Sequence, residues 1–214
     1  MIKKMGLILA TALIFQIIAG FSIMRLSKIH HKHSVNPDIS LDSIIKTKGI
    51  KDTNNFNLYI DLSRRLLYFK YKDKSLKQYV IAAGIKTNSG DKHIEGDCRT
   101  PRGEFYICQK AIHAPPRSDS GSRWMLLSYP NIEDAARGLK NRLINKYTYG
   151  KIKNAIENKK VPPQNTKLGG LVGIHGGARP DYLADWTGGC IGMYDKDAEE
   201  IYKYLKCGSK VVIR

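Results

Sequence analysis

Gly173-Ile-His175-Gly-Gly-Ala-Arg-Pro-Asp-Tyr-Leu-Ala-Asp-Trp-Thr187-Gly-Gly-Cys190-Ile-Gly-Met193 carries two chemistry-bearing side chains, each set among glycines. The apolar run Leu171 to Ile174 ends in His175, and two glycines follow it. After a polar loop, Gly188-Gly189 delivers Cys190 shortly before a helical pattern. A thiol and an imidazole are the ingredients of a cysteine nucleophile with its base, and a nearby imidazolium lowers a thiol pKa. Glycines ahead of a nucleophile permit a sharp turn and leave N–H groups to meet an oxyanion. A lone Cys is more often a small buried hydrophobe, and four cysteines with six histidines allow many accidental pairs. What singles out this pair is the order strand, His-Gly, loop, Thr-Gly-Gly-Cys, helix.

Working outward, the apolar runs describe a β-rich α+β domain. Phe56–Asp61 alternates as a strand, Arg64–Lys70 reads as a second and Leu76–Ala82 as a third, ended by Gly84. Thr100-Pro101-Arg102-Gly103 suits a type I turn that opens the strand Glu104–Cys108. Trp124–Tyr129 is a further apolar run stopped by Pro130. Residues 132–160 read as helical, broken near Gly138 and Gly150 and ended by Pro162-Pro163. After Cys190, Asp195-Lys-Asp197 starts a helix with Ala198, Ile201, Tyr202 and Leu205 on its apolar face. Lys210–Arg214 closes the chain as a strand.

The segment around His175 and Cys190 resembles the active-site signature of the L,D-transpeptidase catalytic domain, also called the YkuD domain. That signature is a His-Gly after a strand, a loop of roughly fifteen residues and Ser/Thr-x-Gly-Cys, a nucleophile and base on two chain segments. Asp185-Trp-Thr-Gly-Gly-Cys-Ile191 is similar to the branch that carries Asp-Trp-Thr-x-Gly-Cys-Ile. Thr100-Pro-Arg-Gly103-Glu-Phe and Ser128-Tyr-Pro-Asn131 match two further elements, so the resemblance spans about residues 54–214. Two departures stand out: Gly188 where many members have a second histidine, and Gly192 where many have an arginine.

The resemblance implies a YkuD-like sheet or sandwich with a helical insertion and one helix after the nucleophile. It implies Cys190 as nucleophile, His175 as general base and proton donor, and the Gly176 backbone carbonyl as the group orienting His175. From the residues alone, Asp181 and Asp185 are alternatives for that last role. The N–H groups of Gly189 and Cys190 are the expected oxyanion donors. On the substrate side stand Trp186, as cleft wall or core residue, Thr187, which also suits a loop-stabilising role, and Arg179 as a carboxylate clamp in place of the arginine missing at 192. The implied reaction is acyl transfer on peptidoglycan stem peptides through a thioester, with no metal or organic cofactor. Two alternatives stay open: an amide hydrolase with the same residues, and an inactive wall-binding module.

The net charge of +17 is spread along the chain, +5 over residues 1–50 and +12 over residues 51–214. A basic domain suits an anionic neighbour, and a lysine-rich solvated surface is the plainer reading. No Arg-rich recognition helix, aromatic RNA-binding strand or zinc spacing is present, which disfavours nucleic acid. None of Cys98, Cys108, Cys190 and Cys207 forms a CxxC; Cys98 and Cys108 are candidates for a disulfide in an oxidising space. Met5 to Met24 is a run of twenty residues without charge, long enough to span a bilayer. It reads as a signal-anchor, with a cleaved signal peptide as the competitor. The expected organisation is residues 1–4 as a cytoplasmic N-terminus, 5–24 as the anchor, 25–53 as linker (with His30, His31, His33 and a short helix over Leu41–Ile45) and 54–214 as the catalytic domain on the outer side of the membrane in the bacterial cell envelope.

Overall fold

The computed structural model describes residues 39–182 and 184–214. The apolar run 5–24 and linker residues 25–38 therefore lie outside the described residues. Among the described residues no helix is long and apolar enough to cross a membrane.

Eight strands form one mixed sheet in the order β3-β2-β1-β8-β4-β5-β6-β7. Strands β1 (Phe56–Asp61), β2 (Leu66–Tyr71) and β3 (Lys74–Val80) make the opening antiparallel meander. The last strand, β8 (Lys210–Ile213), returns to lie parallel to β1 and antiparallel to β4 (Gly103–Arg117). Strand β4 turns back into β5 (Gly121–Leu127), which pairs with β6 (Gly173–His175), and β6 runs parallel to the two-residue β7 (Ile191–Gly192). Beyond β3 the chain bridges onto β7. Ala82 N donates to Gly192 O at 2.8 Å and Gly192 N donates to Ala82 O at 2.9 Å. The sheet thus curls until its first and last strands meet at the nucleophile segment.

Alternation builds the core. In β1, Phe56, Leu58 and Ile60 point inward and are fully or nearly fully buried, while Asn57, Tyr59 and Asp61 face out. They pack with Leu67, Phe69, Tyr79, Ile107, Met125, Ile174, Ile191, Val211 and Ile213, and with Ala198, Ile201 and Leu205 from helix α4 (Asp195–Tyr202) and the turn after it. At about 25 cal/mol per Å² of apolar surface removed from water, this contiguous cluster is the main favourable term for the fold.

Part of the segment read as linker belongs to the domain. Residues Leu41–Thr47 form helix α1, capped by Ser40, whose side chain accepts from Ser43 N. Leu41 is fully buried in the core cluster, and its N–H donates to Glu200 Oε1 at 2.6 Å. Glu200 also receives Lys77 Nζ and Tyr79 OH at 2.8 Å each, so its carboxylate ties α1, β3 and α4 together.

The helical insertion consists of α2 (Ile132–Lys140) and α3 (Lys146–Glu157) between β5 and β6. Asn131 and Asp134 close a reciprocal capping box at the start of α2, satisfying N–H groups that a helix start leaves unpaired. Ala135, Ile144, Ile152 and Leu168 make a small core of their own. Tyr129 OH donates to Leu168 O at 2.8 Å and fixes the insertion to the sheet.

Candidate active site

His175 ends β6 and Cys190 directly precedes β7, so the parallel pairing of Ile174 with Ile191 and of His175 with Gly192 sets both reactive residues in one register. Both line a cavity of about 590 Å³ together with Trp124, Trp186, Thr187, Gly188 and the β4–β5 hairpin. Cys190 is half-buried and its Sγ lies 3.5 Å from Leu171 O. His175 is 3 % exposed, and its Nδ1 is 2.7 Å from Gly176 O. A carbonyl can only accept, so Nδ1 carries the proton and Nε2 is left as the basic nitrogen.

Two indoles fix the imidazole. Trp124 stacks on His175 with ring centroids 5.5 Å apart at 26°, and Trp186 meets it edge-on at 5.3 Å and 82°. Each indole lies over a glycine. A Cβ on Gly173 would stand 2.8 Å from Trp124 Cζ2, and a Cβ on Gly192 would overlap Trp186 Cζ2. The glycine at 192 is therefore the floor on which Trp186 rests, and the indole fills the space into which a longer side chain at 192 would project.

Burial shifts both reactive groups toward their neutral forms. It pushes the Cys190 thiol up, opposed by the Gly173 N–H and the charge of Lys92. It pushes His175 down, opposed by the Gly176 carbonyl and the charges of Asp119 and Asp195. Burial of both groups thus works against the thiol-lowering imidazolium expected from the sequence.

The remaining expected residues divide. Thr187 is buried and its hydroxyl faces the loop, donating to Cys190 O at 2.6 Å and accepting from Gly189 N at 3.2 Å. The N–H of Gly189, one of the two expected oxyanion donors, is therefore taken up by Thr187. Asp185 turns away from the imidazole; it binds Arg65 through both oxygens and accepts from Ala83 N at 2.8 Å. Arg179 is exposed and lines a neighbouring groove with Ile81, Ala82 and Met193, and Tyr182, over whose ring Arg179 lies at 5.9 Å, borders both that groove and the reactive cavity. Trp186 is half-buried and borders both spaces.

Several site residues have no local signature. Trp124 reaches His175 only because β5 and β6 pair them directly. Asp195, the first residue of α4, takes Ser122 N at 2.6 Å and packs beneath Gly176. Lys92 is 4 % exposed, bound to Asp97 at 2.8 Å and Ile94 O at 3.0 Å. It lines a second, smaller cleft of about 150 Å³ with Glu95, Gln164, Gly188 and Cys190. Leu171, 66 % exposed with φ +52°, borders both clefts, and Gln164 Oε1 holds its N–H at 2.7 Å. The helical insertion therefore reaches the thiol through its return segment. All four cysteines are free thiols, including Cys98 and Cys108. Among the described residues no group of three or more His, Cys, Asp or Glu is placed to hold a metal ion.

A model of the L,D-transpeptidase catalytic domain family, YkuD, matches residues 56–213. No curated protein sequence matches the chain. Among solved structures, the helical cell shape determining protein Pgp2 from Campylobacter jejuni aligns at 21% identity over 81% of this chain and 54% of its own, with a TM-score of 0.48. Bd1075 from Bdellovibrio bacteriovorus aligns at 17% identity over 75% and 48%, TM-score 0.47. An L,D-transpeptidase from Xylanimonas cellulosilytica aligns at 12% identity over 77% and 62%, TM-score 0.44. The chain spans about half the length of the first two.

Proposed function

The chain belongs to the L,D-transpeptidase catalytic domain (YkuD) family, and on that premise we propose that it is a cysteine acyltransferase acting on peptidoglycan stem peptides in the cell envelope, with the run 5–24 as its membrane attachment. The observation that carries this reading is the oriented imidazole: Nδ1 is held by Gly176 O, and His175 lines the same cavity as Cys190.

Because burial pushes thiol and imidazole alike toward their neutral forms, His175 works as a general base rather than as the partner of a standing thiolate. Nε2 takes the Sγ proton as sulfur attacks the carbonyl carbon on the L-centre of the stem's diamino acid. The Cys190 N–H meets the developing oxyanion. The imidazolium then gives its proton to the leaving amine of D-alanine, and a thioester remains. An incoming amine loses a proton to Nε2, attacks the thioester and restores the thiol. The two clefts that meet at Cys190 on either side of Leu171 favour this two-substrate course over attack by water.

The test is mass spectrometry of the protein with disaccharide-tetrapeptides and with intact sacculi, beside Cys190→Ala. Cysteine-dependent dimers that have lost D-alanine are expected. Cysteine-dependent cleavage without dimers would make the chain a hydrolase, and identical products from both proteins would refute catalysis.

A further inference from the structure

One rim of the reactive cavity has no role in the acyl-transfer steps: the hairpin between β4 and β5, which contributes His113, Arg117, Ser118, Asp119 and Ser120. Its tip carries an ion pair. Arg117 Nε and Nη2 donate to Asp119 Oδ1 and Oδ2 at 3.1 and 3.2 Å, and Ser120 Oγ donates to Oδ1 at 3.0 Å. His113, with Nδ1 3.1 Å from Gly121 O, braces the hairpin base. Both charged side chains are mostly exposed, at 61% and 64%. A pair so open to water adds little to stability, yet it stands on the rim of the cavity that holds His175 and Cys190. Arg117 holds the Asp119 carboxyl down to about 2, so both charges persist across the physiological range. The field of Asp119 also reaches His175 and raises its pKa, which puts the pair within electrostatic range of the reacting atoms.

A guanidinium beside a carboxylate is the electrostatic complement of an ammonium beside a carboxylate on one carbon, with the guanidinium fork able to take the carboxylate through two N–H groups. Arg179 lines the neighbouring groove, whereas Arg117 and Asp119 line the cavity that holds Cys190. Building on the acyl-transfer reading above, we infer that Arg117 and Asp119 recognise a zwitterionic α-amino acid terminus: the side-chain end of the diamino acid in the acyl-donor stem, with its amine and carboxylate both free. The donor is the partner rather than a free amino acid acceptor. An acceptor whose amine sat as an ammonium on Asp119 would have no lone pair with which to attack the thioester.

The experiment follows D-alanine release by the full chain from three disaccharide-tetrapeptides: one with the diamino acid end free, one with its carboxylate amidated and one with its amine acetylated. The wild type is expected to prefer the free form in kcat/KM by about tenfold or more over each blocked form, the scale of a lost charged hydrogen-bonded contact. Arg117→Gln should erase the preference against the amide, and Asp119→Asn the preference against the acetylated amine, each chiefly through KM. The conservative Arg117→Lys should restore part of the first. Three results would overturn the inference: no preference in the wild type, an equal loss on all three substrates in the variants, or a preference that appears only for free amino acids offered as acceptors. Absence of any Cys190-dependent release from all three would refute the acyl-transfer reading itself, and this inference with it.

Discussion

Trp124 stacks on His175 at a centroid distance of 5.5 Å, although 51 positions separate them in the chain. The contact shields one face of the imidazole from water, and burial is the leading cause of its lowered pKa. Replacing Trp124 by Leu should admit water and raise that pKa toward 6.5. The acid limb of kcat/KM should then move to higher pH, and activity near pH 6 should fall several-fold more than activity near pH 8. A pH–rate profile of both proteins decides this, and an unmoved acid limb would exclude the role.

Cys190 makes a second pH prediction. Its thiol is pushed up from its ordinary value by burial. Alkylation by iodoacetamide, which needs thiolate, should climb through the alkaline range without a plateau near neutrality. Measured rates of Cys190 modification against pH provide the check; a plateau at pH 6–7 would mean a standing thiolate–imidazolium pair.

Gly192 and Trp186 make a paired prediction. Because Trp186 rests on Gly192, Gly192→Arg should displace the indole and cost about 1–3 kcal/mol, as overpacking does. Combining Gly192→Arg with Trp186→Gly should recover much of that loss. Thermal melts of the two single variants and the double variant test the coupling, and additive losses would show that the two residues are independent.

Asp197 is buried, one of its oxygens lacks a hydrogen-bond partner, and burial followed by the charge of Glu200 raises its pKa to about 7. A carboxyl whose folded pKa is raised binds its proton more tightly in the folded state. Its stabilising effect is complete below the unfolded value near 3.8 and disappears as pH rises to about 7. Asp197→Asn, which resembles the protonated form, should therefore match the wild type near pH 3.5 and exceed it increasingly up to pH 7. The gap should then stay level at a few kcal/mol, on the order of the shift times 1.36 kcal/mol per unit. Denaturant melts at several pH values would detect a gap of the opposite sign, which would refute the assignment.

The strands and the helix after the nucleophile were legible because each has its own period. Phe56, Leu58 and Ile60 alternate, and Ala198, Ile201 and Leu205 share one helical face. The His175–Cys190 pair was legible because its glycines and spacing are local in sequence. The surroundings of Arg179 were not legible for the converse reason: it lies in an exposed loop with no periodic pattern, and the structure sets it in the groove that shares Trp186 and Tyr182 with the reactive cavity. Trp124, Lys92, Arg117 and Asp119 come to the site through strand pairing and loop closure, which no local pattern encodes. The short helix near Leu41–Ile45 reads as part of a linker because its docking rests on Leu41 meeting Glu200 from the far end of the chain, a contact that no local pattern encodes.

The two-residue strand β7 is gripped from both sides, by β6 through Ile174 and His175 and by Ala82 through a reciprocal pair of hydrogen bonds. The position of Cys190 is thus set by its neighbours in the sheet and owes little to the length of the loop that leads from His175. Such a loop is free to vary. Residues 179–184, which stop short of Asp185 and Trp186, can be lengthened, shortened or recomposed, and substrate preference retuned with them, while β6 and β7 keep His175 and Cys190 in register.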